Sequence, residues 1–127
     1  MSAALTFIAP PPGFEPLVDF VLDDIEGANG LYALRPVTDQ GMRLFVLDAG
    51  IFLPDYTPEI SDEQAASLDL VSGDDALVLV VANPGESGTT MNLMAPIVVN
   101  SVNGRSAQVI LEDEKWPLRA ELTARSA

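Results

Sequence analysis

The 127-residue chain contains no cysteine and no histidine. The first absence excludes disulfides and thiolate metal sites. The second removes the commonest general base and the commonest metal ligand. Basic residues are scarce, 6 against 19 acidic ones, and the formal net charge is −13. Such a surface repels phosphate backbones and argues against direct nucleic-acid binding. It suits solubility and fast association with a basic partner. No apolar run approaches the ~18 residues that would span a bilayer. The start Met1-Ser2-Ala3-Ala4 lacks the basic n-region of a secretory signal, and prolines arrive at Pro10. A cytoplasmic protein that touches no membrane is the expectation.

Aliphatic residues are plentiful, and residues 91–111 organise them. Asn103-Gly104 is a hairpin signal, because a type I′ turn needs positive φ at both central residues. That turn predicts Val102 opposite Arg105, Asn100 opposite Ala107 and Val98 opposite Val109. Pro96 lacks an amide hydrogen and fits a strand start. Near 97–99 and 109–111 both faces are apolar, which predicts strands covered on both sides, as in a closed barrel or sandwich.

The remaining pattern adds further strands. Residues 4–8 are rich in Phe, Thr and Ile and end at Pro10-Pro11-Pro12-Gly13. Strands are predicted at 17–22, 31–35, 43–49, 76–82, 96–102 and 105–112, with an edge strand in 117–122. Asp23-Asp24 with 27–30, and 83–88, read as turns. Ser61 and Gln64 form a capping-box pattern, so one short helix is predicted near 61–71, stopped by Gly73. The expectation is a single mainly β domain, 1–127, with an antiparallel barrel-like core over about 5–121 and frayed residues at 123–127.

Candidate chemistry is sparse. The acidic groups Asp23, Asp24 and Glu26, then Asp74 and Asp75, then Glu112, Asp113 and Glu114, lack the alternating ligands and Gly bend of a calcium loop. They read as solvated turns. The loop 85–90 lacks the lysine of a phosphate-binding loop, and a serine nucleophile has no histidine to activate it. Lys115, the single lysine, lies among carboxylates that raise its pKa, the wrong direction for a nucleophile. Trp116 reads either as a core plug or as an anchor for a partner. No cofactor, metal site or catalytic activity is expected. Phe52-Leu53-Pro54-Asp55-Tyr56 is the best surface motif, since its prolines stiffen a loop and its aromatics suit an interface. The alternative has Phe52 and Tyr56 packing inward.

Asn92-Leu93-Met94-Ala95-Pro96-Ile97-Val98-Val99-Asn100 resembles the N-L-x-A-P-I-V-[IV]-N run of the flagellar assembly factor FliW family. Pro12-Gly13-Phe14-Glu15, Phe52-Leu53-Pro54-Asp55-Tyr56, and Gln108-Val109-Ile110-Leu111-Glu112-Asp113 with Trp116-Pro117 resemble it in the same order. The likeness runs from about residue 5 to 121, almost the whole chain. It implies a FliW-like barrel and a monomeric binding protein that is not an enzyme. Such proteins bind cytoplasmic flagellin and also CsrA, the RNA-binding translational regulator, and so couple flagellin level to its translation. Phe52, Asp55, Tyr56, Glu112 and Asp113 are the candidate partner-binding residues. The alternative is a small acidic barrel that binds a ligand or works as a carboxylate-based enzyme. One departure stands out: FliW-like chains carry a further strand before Leu5-Thr6-Phe7-Ile8, and here only about four residues precede it. Either that strand is missing and its neighbour becomes an edge, or the first residues do a reduced version of its job.

Overall fold

A computed structural model of the chain describes residues 2–10, 15–25, 27, 30–38, 43–52, 56, 61–70, 75–85, 88–111 and 120–121. Branched aliphatics and aromatics build strands β1 (Ser2–Phe7), β2 (Asp19–Asp24), β3 (Leu31–Pro36) and β4 (Leu44–Asp48). Two short helices follow, α1 (Ala49–Phe52) and α2 (Asp62–Ser67). Then come β5 (Ala76–Gly85), β6 (Gly88–Asn100), β7 (Arg105–Gln108) and β8 (Ala120–Glu121). The pairing order is β5-β4-β3-β2-β1-β7-β6, and β6 returns to β5, so the sheet closes as a barrel. β8 adds to the first part of β6, through Thr90 and Met91. The mainly β, barrel-like expectation holds.

The apolar residues on both faces of the central strands sort by parity into two cores. Leu79 and Val81 of β5, with Ile97 and Val99 of β6, point into the barrel beside Leu5, Phe7, Phe20, Leu22, Leu34 and Val46. The rings of Phe7 and Phe20 meet edge to face, their centroids 5.1 Å apart. The alternate residues Val80, Ala82 and Val98 point outward. There they pack with Leu47, Ala49, Tyr56, Leu68, Met91, Leu93, Val109 and Leu111. The sequence reading of strands covered on both sides is therefore correct, and the outer cover includes α1 and the end of α2.

The hairpin of β6 and β7 differs from the expected one. Its register is Val98 with Ala107 and Val99 with Ser106, two residues from the predicted pairing. Gly104 has φ +79°, while Asn103 does not take positive φ, so the connection is a four-residue turn, 101–104, and not type I′. The Gly104 amide donates to the Asn100 carbonyl at 2.8 Å. Asn100 explains the longer turn. Its carboxamide nitrogen donates to the Leu68 and Asp69 carbonyls at 2.8 and 3.2 Å. Its oxygen accepts from the Val102 amide at 2.9 Å. The side chain thus ties the turn to the end of α2, a tertiary contact that overrides the local signal.

Pro96 is not a strand start: it lies buried inside β6. The ladder to β5 pairs Val81 with Asn92 and Leu79 with Ile97, so residues 93–96 stand against Val80 alone. This bulge needs no amide from residue 96, which lets a proline occupy the middle of the strand. The turn expected over 83–88 is mostly strand, with Gly85 paired to Gly88. Likewise β2 continues through Asp23 and Asp24, where a turn was expected, and Asp23 forms an ion pair with Arg35.

Ser61 and Gln64 do form the capping box, with bonds of 3.1 and 2.9 Å. The helix is shorter than expected and ends before residue 71. Asp69 takes φ +57°, the Leu70 amide returns to the Ala65 carbonyl at 2.9 Å, and the Asp69 amide to Ala66 at 3.1 Å. That is a Schellman ending with aspartate at the left-handed position. Gly73 lies outside the described residues. The strand predicted over 43–49 stops at Asp48, whose carboxylate accepts from the Gly50 amide at 2.9 Å and starts α1. Strand β1 is no free edge. It pairs antiparallel with β2 and, at Thr6 and Phe7, parallel with β7.

Candidate partner-binding surface

The bulge at 93–96 exposes backbone groups that no ladder satisfies, and side chains take their place. The Asn92 carboxamide oxygen accepts from the Met94 and Ala95 amides, each at 3.1 Å. Gln108 donates to the Ala95 carbonyl at 3.1 Å. The Pro96 carbonyl accepts from the Val109 amide at 2.9 Å, and the Met94 carbonyl from the Leu111 amide at 2.8 Å. The Tyr56 hydroxyl donates to the Leu93 carbonyl. The physical role of the Asn92–Asn100 motif is therefore to bend one long strand and to offer carbonyls to two other segments.

Those two segments carry the candidate residues. Tyr56 belongs to the first, and its ring is buried in the outer core, 8% exposed. Burial pushes its phenol well above the ordinary value near 10. The hydroxyl stays a donor to Leu93 throughout the neutral range. Phe52 is half-buried in α1 and packs on the same core. It also lies over Gly30, at φ +88°, where a Cβ would come within 2.8 Å of the Phe52 ring. Leu111 ends the second segment, buried and bonded to Met94. Leu93 and Met94 are adjacent, so the bulge gathers Tyr56 and Leu111, the residue before Glu112, at one place. Asp55, Glu112, Asp113, Lys115 and Trp116 lie outside the described residues. Of the candidates, Phe52 and Tyr56 share the outer core.

Sequence reasoning missed a second surface. The outward residues of β1, β2 and β3 form a wall on which Thr6 pairs with Asp19, and the Val37 amide donates to the Asp19 carbonyl at 3.0 Å. Ile8 and Val37, each 49% exposed, flank this point. Alternation along 4–8 and 19–23 carried that signal, but only once the strand order was known. The wall also holds the Arg35–Asp23 pair, and beside it the Arg43 guanidinium lies 5.1 Å from the centre of the Phe45 ring. Near one end of the barrel Tyr32 is half-buried, and its phenol is raised first by burial, then by Asp48 and Asp24. No group of three metal-ligating side chains occurs among the described residues. No described helix is long and apolar enough to cross a membrane.

The family model of the FliW protein matches residues 1–122 of the chain. The chain is 32% identical over 114 residues to a flagellar assembly factor FliW of Treponema denticola, covering 88% of this chain and 77% of that one. A flagellar assembly factor FliW of Thermosipho africanus is 30% identical over 122 residues, 94% of this chain and 84% of its own length. A crystal structure of the flagellar assembly factor FliW superposes with a TM-score of 0.87 at 24% identity, over 98% of this chain and 88% of that one. That last likeness is one of fold.

Proposed function

The chain belongs to the FliW family of flagellar assembly factors, and from that premise we propose that it acts as a monomer that binds flagellin and, where the regulator is present, CsrA. Binding CsrA would hold it off the flagellin messenger, and flagellin would compete for the same protein. The observation that carries this reading is the net charge of −13 on a chain without histidine or cysteine. A protein that grips RNA must be basic where it does so, and an acidic surface attracts it over distance. Affinity needs apolar contact as well. The sequence stretches 52–56 and 112–113 are the surfaces proposed to supply it, with Phe52, Asp55, Tyr56, Glu112 and Asp113 as the candidate contacts. Tyr56 contributes through the hydroxyl it donates to Leu93, since its own ring is inside.

Calorimetry against purified flagellin and CsrA from the same organism tests the proposal. Binding to each at micromolar concentration or tighter (about −8 kcal/mol) is expected, with each partner displacing the other. Absence of binding to both overturns it.

A further inference from the structure

The turn that closes the barrel contains a bond with its own chemistry. In an Asn-Gly sequence the glycine nitrogen can attack the asparagine side-chain carbonyl, since glycine offers no steric barrier. The new C–N bond closes a five-membered succinimide, and the amide nitrogen leaves as ammonia. Water then opens the ring. Attack at the side-chain carbon gives aspartate; attack at the backbone carbonyl gives isoaspartate, whose main chain runs through an added methylene. Asn103 is exposed, and Gly104 follows it.

The folded turn opposes each step. The nitrogen must lose its proton to attack, and in the turn the Gly104 N–H donates to the Asn100 carbonyl at 2.8 Å. The Asn103 carboxamide oxygen is held by the Arg105 amide at 2.8 Å. The Gly104 carbonyl accepts from the Thr6 amide at 3.0 Å, which fixes the far side of the glycine. The Ala4 carbonyl oxygen lies 2.7 Å from where a Cβ on Gly104 would sit, so there is no room for the glycine to swing toward β1. Gly104 therefore moves only if the join between β1 and β7 parts. That join is the shortest in the closed barrel, pairing only Thr6 with Arg105 and Phe7 with Ser106.

We propose that Asn103 is a self-modification site gated by the β1–β7 join. It stays closed in the folded barrel and opens in chains whose join has parted. The isoaspartate product, longer by one methylene beside the Ala4 oxygen, cannot restore the turn. The modification thus marks chains that have been unfolded and keeps them from closing again.

The test is to age the whole protein at mildly alkaline pH, folded and in urea, and to read the NH₂-to-OH mass change on tryptic peptides. Asn103 and the second Asn-Gly pair, Asn29-Gly30, fall on different peptides, because trypsin cuts after Arg43, which lies between them. Asn103→Gln identifies the signal. The folded chain is expected to convert at Asn103 at least about tenfold more slowly than the chain in urea, as for any reaction that waits on a local opening. Thr6→Pro, which removes the donor to Gly104, should bring the folded rate toward the unfolded one. If that variant does not fold, refolding the urea-aged wild type serves instead, with isoaspartate at 103 depleted from the native fraction. Equal rates folded and unfolded overturn the gate. Full recovery in the native fraction of isoaspartate-103 chains, told from the aspartate product of equal mass by the separate chromatographic retention of their tryptic peptides, overturns the exclusion.

Discussion

The Tyr56 hydroxyl reaches the carbonyl of Leu93, 37 positions along the chain, inside the bulge of β6. The bond ties Tyr56, which lies between the two helices in sequence, to the strand that carries the family motif. It also gives a buried backbone acceptor a side-chain donor.

Tyr56→Phe should therefore destabilise the fold by about 1–3 kcal/mol, the cost of taking a donor away from a buried acceptor. Its pH dependence has a definite sign. The Tyr56 phenol titrates higher in the folded than in the unfolded chain. Its contribution is complete below the unfolded value near 10 and is lost as pH rises past that value. Tyr32 is shifted the same way. Urea denaturation across the alkaline range should show wild-type stability falling above about pH 10, less steeply in Tyr56→Phe. An unchanged alkaline slope in the variant would remove the bond from the account.

Gly104→Ala should be costly for two reasons, the positive φ and the Ala4 oxygen at 2.7 Å. The loss is expected to be about 2 kcal/mol or more, seen as a lower urea midpoint at constant m. Gly27 also has positive φ, yet a Cβ there meets nothing within 4 Å. Gly27→Ala should cost less than Gly104→Ala, and the difference isolates the close approach to β1.

Asp69→Gly is expected to stabilise the protein, by about 0.5–1 kcal/mol. Aspartate pays a steric penalty at the left-handed position and puts a negative charge at the negative end of a helix. The ion pair it loses, with Arg105 at 3.1 Å, is mostly exposed on both sides and contributes little. A lower thermal midpoint for the glycine variant would show that the ion pair outweighs the backbone.

Reversing Glu112 and Asp113 to lysine should slow association with CsrA several-fold at low salt and change dissociation little, as rim charges do. The difference should fade as salt rises, since screening sets in beyond about 8 Å at physiological strength. Stopped-flow binding at two ionic strengths reads both constants. A change confined to dissociation would place these residues inside the contact.

Much of the fold was legible in the residues. Both-sided apolarity at 97–99 foretold strands covered on both sides, as in a closed barrel or a sandwich, because each face needs its own cover. Ser61 and Gln64 foretold the helix start, because capping is local chemistry. What failed depended on distant partners. The hairpin slip of two residues keeps every side chain on its face, so the hydrophobic pattern cannot detect it. Asn100, bound to the carbonyls of Leu68 and Asp69, decides it. Helix α2 stops early because Asp69 turns back, which aspartate rarely does unaided. The candidate residues Phe52 and Tyr56 were found by their aromatic chemistry, but their inward packing needed the bulge, and a bulge has no signature beyond a proline in an otherwise central strand.

The bulge has a consequence for alignment of the two central strands. Alternation normally sets strand register, because slipping by one residue turns greasy side chains to water. Here β5 and β6 are aliphatic on both faces, so a slipped pairing would merely trade one dry interior for the other. Polarity is blind to that error. What Asn92 and Pro96 do fix is where along β6 the kink falls, since the carboxamide holds the amides of Met94 and Ala95 and the proline sits where no ladder amide is asked for. The kink is a notch cut at one place in the strand, against which the facing strand sets a single residue, Val80.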